Sequence, residues 1–188
     1  MSPTTLLLAT VLATAHPPLD AEAAREAVDA LMADYTGAVP GASVLVLRDG
    51  EPVVRKAYGL ADVEAGTPAT PATNYRLASV SKQFTAAAIL LLAEDGKLRL
   101  DDPVGKWLPS LPATPAAATL HQLLTHTSGV VDYEDFVPGD AARQVRDADV
   151  LHLLEPHDRT LFPAGSAYRY SNSGYALLAL VVERASGR

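Results

Sequence analysis

At 188 residues, 48% hydrophobic and 20% charged, the chain is long enough to bury a sizeable core and is too apolar for a disordered segment. Its formal charge of −7, with no cluster of Lys and Arg, argues against a nucleic-acid partner, because phosphate binding needs a concentrated positive surface. It has no cysteine, which excludes disulfides, thiol nucleophiles and thiolate metal sites.

Residues 6–15 (LLLATVLATA) are apolar, are followed by His16-Pro17-Pro18, and end in the small-residue pattern Ala13-Thr14-Ala15. This reads as a signal peptide over residues 1–15 and hence as export to the periplasm or the exterior, although the amino terminus is the only positive charge ahead of the apolar stretch. A frayed helix or a mis-assigned start is the competing reading. No later apolar run reaches the roughly 18 residues that a membrane span needs, so none is expected.

Residues 21–35 are Ala-rich with an apolar face of Ala24, Val28, Leu31 and Met32, the pattern of a surface helix. Residues 42–47 and 53–58 are β-prone and flank Asp49-Gly50, a strong hairpin signal because both turn positions need positive φ. Residues 74–77 form a short extended approach to Ser79. From 79 to 94 the pattern is helical and apolar on most sides (Phe84, Ala87, Ala88, Leu91, Leu92), with Gly96 as its stop. Such a helix is expected to be buried at the centre of the fold. Pro109, Pro112 and Pro115 predict a loop over 108–118. Short helices are expected at 119–124 and 145–154, a turn at 162–165, and an apolar helix over 173–184 closed by Gly187. A hairpin followed by many helices indicates an α+β fold.

Two short constellations carry chemistry. In Ser79-Val80-Ser81-Lys82 the serine and the lysine share a helix face at i and i+3, so Oγ and Nζ are expected within reach of each other. Serine is a weak nucleophile until a neighbour takes its proton. Burial and the positive end of a helix dipole favour the neutral amine that does so. The competing reading makes Ser79 a helix cap. That reading predicts Glu or Gln three residues later, whereas a Lys there opposes the dipole. In Tyr170-Ser171-Asn172, the phenol can act as a base or relay beside an ammonium group. Asn172 can donate to a substrate carbonyl or hold Lys82. The alternative is that Tyr170 packs in the core while Asn172 or Ser173 caps the next helix. Neither motif is specific alone.

Residues 78–90 (ASVSKQFTAAAIL), 120–130 (LHQLLTHTSGV) and 162–178 (FPAGSAYRYSNSGYALL), in that order, closely resemble the serine β-lactamase-related family. That family includes class C β-lactamases, D-Ala-D-Ala carboxypeptidases and related esterases. The resemblance runs from about residue 44 to the end of the chain. It implies the β-lactamase/transpeptidase-like fold, here its antiparallel hairpin strands and largely helical region without the C-terminal strands. It implies that Ser79 is the acylated nucleophile, Lys82 and Tyr170 its proton-handling partners, and Asn172 a substrate-binding residue. The Ser79 backbone N–H would supply half of an oxyanion hole. The substrate would be a β-lactam, a peptidoglycan-type D-Ala-D-Ala peptide or an ester, with no metal and no organic cofactor.

His121, His126, His152 and His157 lie in no H-E-x-x-H pattern, and no G-x-S-x-G elbow is present, so they are set aside as surface or packing residues. Asp101-Asp102-Pro103 reads as a capped turn rather than a metal pair, and Trp107 as a packing residue. The family also needs a third motif, K-T-G or a variant. The residues after Asn172 (SGYALLALVVERASGR) contain neither Lys nor His. Residues 16–188 are therefore read as an incomplete catalytic domain. The chain alone is expected to be poorly stable and to have little activity, because one sheet edge and the central helix would be under-covered. A non-enzymatic remnant that binds peptide or a protein partner is the alternative.

Overall fold

A computed structural model describes residues 20–137 and 144–188; the signal peptide read over residues 1–15 lies outside them. The described residues divide into two compact units, one up to Arg76 and one from Leu77.

In the first unit, helix α1 (Ala21–Leu31) starts at Asp20, whose carboxylate accepts the Glu22 N–H. Strands β1 (Ala42–Arg48) and β2 (Glu51–Tyr58) pair antiparallel from Ala42↔Tyr58 to Arg48↔Glu51. Between them Asp49 and Gly50 both have positive φ (52° and 84°), the two-residue turn that the sequence predicts. Lys56 and Tyr58, on one face of β2, both reach the Asp29 carboxylate of α1, at 2.6 and 2.7 Å. The acceptor and the charge hold the helix on the hairpin. A second small ladder, β3 (Leu60–Asp62) with β4 (Thr67–Pro68), was not legible as strands, being two or three residues long.

The second unit carries the remaining helices. A 3-10 turn (Ala78–Ser81) leads into α2 (Lys82–Glu94), so the helix expected from Ser79 begins as a tighter coil. Ala78, with φ of 47°, accounts for the abrupt entry. Residues 113–116 form a short helix, α3 (Ala113–Ala116), inside the expected proline loop. Pro115 is tolerated there because the N–H groups of a helix's first turn have no intrahelical acceptor. Helix α4 (Leu120–Leu124) has a complete capping box: Thr119 Oγ1 accepts the Gln122 N–H and Gln122 Oε1 accepts the Thr119 N–H. Helices α5 (Asp147–Leu154) and α6 (Asn172–Ser186) follow, the latter ending at Gly187.

The core of this unit joins Ile89 of α2, Leu120 and Leu123 of α4, Leu154 of α5, and Leu177, Leu178 and Val181 of α6, all with essentially no exposure. Its axis is α6, which packs against α2, α4 and α5. Helix α2 is not buried on most sides in this chain; it is under-covered, the other expectation stated for it. Only Ile89 and Leu92 are buried, while Phe84 and Leu91 are 62% and 61% exposed. Apolar composition sets how much of a helix can be covered, and the packing partners set how much is. No helix among the described residues is long and apolar enough to cross a membrane.

The Asp101-Asp102 pair is a turn, as read. The nearly buried Asp102 carboxylate accepts the Arg99 N–H at 3.0 Å and Lys106 Nζ at 2.8 Å. Lys106 first, and the Arg99 N–H with it, hold the Asp102 pKa below the ordinary carboxylate value against burial. A depressed carboxylate stabilises the fold above its unfolded pKa and stops doing so as pH falls through the folded value. Asp102→Ala is therefore expected to lower the urea midpoint at pH 7. The gap from wild type should narrow steadily as the pH is taken below the ordinary carboxylate range; a constant gap would contradict the assignment.

Candidate active site

Ser79 stands at the entry to α2, immediately after Ala78, one of three non-glycine residues with positive φ among those described. Backbone strain of this kind, typically about 1–3 kcal/mol, persists where the surroundings over-determine it, often beside reacting groups. The Ser79 side chain is exposed and does not cap the helix. Its Oγ lies 2.6 Å from Tyr170 OH, and Lys82 Nζ donates to it at 3.3 Å. The i, i+3 geometry expected from the sequence is present. Lys82 Nζ also donates to Asn172 Oδ1 at 2.6 Å and lies 4.8 Å from the centroid of the Tyr170 ring. All four residues expected at the site thus meet within the second unit.

The amide of Asn172 is oriented from outside the motif. Its Nδ2 donates to Glu134 Oε1 at 2.9 Å, which turns Oδ1 toward the ammonium of Lys82. Asp132 Oδ2 accepts the Asn172 N–H at 2.7 Å, and Asp132 Oδ1 accepts the Glu134 N–H at 3.2 Å. Asp132 therefore caps α6 in place of a local side chain, placing negative charge at the positive end of the helix. Ser171, the residue at the cap position, makes no cap bond, and its buried hydroxyl has no partner. Ser173 is also turned away from the cap: its Oγ accepts the Tyr133 N–H at 2.7 Å. The capping reading of Asn172 and Ser173 is accordingly set aside on geometry.

Electrostatics favour a reactive phenol. The Lys82 ammonium first, and then the Ser79 hydroxyl, pull the Tyr170 pKa below its ordinary value, and neither partial burial nor Asp132 reverses this. Tyr175, more enclosed, is pushed the other way by burial. His126, one of the histidines set aside on sequence, stacks on Tyr170 with ring centroids 4.5 Å apart and planes inclined at 29°. The other three lie elsewhere: His152 pairs with Glu155, His157 stacks on Phe136, and His121 is exposed on α4. No group of three or more His, Asp or Glu side chains among the described residues is placed to hold a metal ion.

Sequence reasoning missed Asp132, Glu134 and the ring of His126. Nothing local marks them, since their partners lie about 40 residues away along the chain.

Residues 24–188 match the family model described as Beta-lactamase. The chain belongs to this family. It is 36% identical over 154 residues to Protein flp of Staphylococcus aureus (strain NCTC 8325 / PS 47), covering 78% of the chain and 30% of that protein. Over 148 residues it is 35% identical to Penicillin-binding protein 4* of Bacillus subtilis (strain 168), covering 77% of the chain and 32% of that protein. Its fold is similar to that of the D-amino acid amidase from Ochrobactrum anthropi SV3, with a TM-score of 0.74 at 28% identity over 87% of the chain and 45% of the amidase. The chain thus spans about a third of the curated relatives it matches. The α+β reading and the resemblance to penicillin-recognising serine enzymes both hold. Within this β-lactamase-type scaffold, the turn carrying Ser79 and the Tyr170 segment are the parts the sequence motifs located.

Proposed function

We propose that the chain carries the nucleophilic part of a serine hydrolase that works through an acyl-enzyme. The observation that carries this reading is the convergence on Ser79 Oγ of Tyr170 OH at 2.6 Å and Lys82 Nζ at 3.3 Å, with Lys82 held by Asn172. Ser79 attacks the substrate carbonyl and passes its proton to Tyr170, whose phenolate Lys82 stabilises. The protonated phenol then donates to the leaving group as the tetrahedral intermediate collapses to an ester on Ser79. Water, activated by the same phenolate, releases the acyl group. The Ser79 N–H is one oxyanion donor in this scheme. Similarity to a penicillin-binding protein and a D-amino acid amidase supports a substrate among β-lactams, D-Ala-D-Ala peptides and small amides or esters. Residues 1–15 are read as a leader for export, and residues 16–188 as part of the catalytic domain.

The test is covalent labelling of the purified chain with a fluorescent penicillin or a fluorophosphonate, followed by peptide mapping. An adduct on the Ser79 peptide is expected. Folded protein that forms no adduct with either probe would overturn the reading and favour a binding protein without turnover. The labelling rate should rise with pH as Tyr170 loses its proton and level off below the ordinary tyrosine value of 10.0. Tyr170→Phe should abolish that rise and slow labelling by about a hundredfold; an unchanged profile would remove Tyr170 from the mechanism.

A further inference from the structure

We infer that His126 is a positioning residue that holds Tyr170 against Ser79 by bonding the backbone on both sides of it, an assignment that rests on the serine-hydrolase reading above. The His126 carbonyl accepts the Arg169 N–H at 3.0 Å, and its Nδ1 accepts the Ser171 N–H at 3.2 Å. The imidazole lies flat against the ring of the residue between them. One residue thus fixes the height of the Tyr170 segment through two hydrogen bonds and the tilt of its phenol through a stacked face. Stacked rings at this spacing contribute beyond their buried area. The arrangement requires His126 in the left-handed region, at φ 57°, a conformation that His, Asn and Asp adopt more readily than most side-chain-bearing residues. The chain thus departs from relaxed backbone geometry at the residue that touches Tyr170.

Acceptance at Nδ1 demands a neutral ring with its proton on Nε2. Burial first, and then the Lys82 charge, hold the His126 pKa below the ordinary histidine value and keep the ring in that form near neutrality. The groups facing the imidazole are Lys82 from α2, Tyr175 from α6 at 5.2 Å, Asp132 ahead of α6, and Tyr168 and Tyr170 from the incoming segment. A proton on Nδ1 would set a donor against the Ser171 N–H and add a second positive charge near Lys82. The clamp would open, and the phenol would lose its contact with Ser79.

Two variants separate the clamp from a general effect on folding. His126→Gly removes the ring while retaining a left-handed backbone at no steric cost. His126→Asn also tolerates that backbone, and its Oδ1 stands where Nδ1 stood as an acceptor. In full-length protein carrying ring-labelled tyrosine, NMR titration reads the Tyr170 ionisation, and fluorophosphonate labelling reads Ser79. His126→Gly should return the Tyr170 pKa to the ordinary tyrosine range and slow labelling by about tenfold, the scale of one lost hydrogen bond. His126→Asn should recover most of both. In wild-type protein the Tyr170 resonance should also shift in step with the His126 titration, and this shift should be absent from His126→Asn. A Tyr170 titration that is the same in His126→Gly as in wild type overturns the assignment. So does a Tyr170 resonance that ignores the His126 titration, or an Asn variant no better than Gly. If wild-type protein takes no label, the hydrolase reading fails, and the Tyr170 titrations still decide the role of His126.

Discussion

Lys82→Met is expected to slow acylation of Ser79 by roughly a thousandfold while leaving the protein folded, within the range that a positioned proton-transfer group supplies. Lys82 touches every other member of the cluster: it donates to Ser79 Oγ and Asn172 Oδ1, and its charge lies against the Tyr170 ring. Removing the ammonium ends both the stabilisation of the Tyr170 phenolate and the ordering of Asn172. Methionine fills nearly the same volume on the partly buried start of α2, so stability should change little. The Tyr170 pKa should rise in the variant, because Lys82 is the largest cause of its depression. Lys82→Arg should not rescue the rate. A guanidinium is planar and longer, and cannot place a compact charge among Ser79 Oγ, Asn172 Oδ1 and the Tyr170 phenol. The measurement is the second-order rate of fluorophosphonate labelling against pH, with circular dichroism as the control for folding. A rate within tenfold of wild type would mean that Lys82 does not support the Tyr170 phenolate in the reaction.

The second large effect concerns stability. Gly129→Ala is expected to cost about 3 kcal/mol, summing the left-handed conformation and the overpacking. Gly129 has φ of 70°, and a β-carbon there would sit 2.4 Å from the Phe162 carbonyl oxygen and 3.2 Å from its ring. The backbones cannot separate easily. The Gly129 carbonyl accepts the Leu161 N–H at 2.7 Å, Val130 bridges to Thr160, and the Gly165 N–H is donated to Thr127. Gly187→Ala is the control. It has a similar φ of 73° with no atom within 4 Å of the added carbon, so it should cost about 1 kcal/mol, the conformational part alone. Urea unfolding followed by Trp107 fluorescence measures both. Equal costs would mean that the contact with Phe162 yields without penalty. Because the 160–165 segment leads toward Tyr170, Gly129→Ala should also slow labelling, whereas Gly187→Ala should not.

The features legible in the sequence are those whose causes lie within a few residues. Asp49-Gly50 announces its turn because two adjacent residues must take positive φ. The short helix expected at 119–124 forms as α4, and Ser79 and Lys82 meet because i and i+3 share one face of a coil. For Tyr170 and Asn172 the residues themselves left two meanings open, helix start or active site. Resemblance favoured the site, and the contact of Asn172 Oδ1 with Lys82 supports it, since an amide engaged there is not capping α6.

Other features were decided only by tertiary structure. The apolar run from Phe84 to Leu92 suggested a central helix, but the helix wrapped on several sides is α6, because α2, α4 and α5 each supply it with a partner face. Hydrophobicity states what a surface would gain by burial, not which neighbour arrives to bury it. Asp132, Glu134 and His126 show no pattern that distinguishes them from ordinary loop residues. Their roles arise from chain crossings that bring an acceptor within 3.2 Å of a donor about 40 residues away. The sequence by itself determined that Ser79 and Lys82 meet, since their geometry is that of one helical turn. Tertiary structure determined how the phenol and the amide are held against them, since that depends on contacts no local spacing encodes.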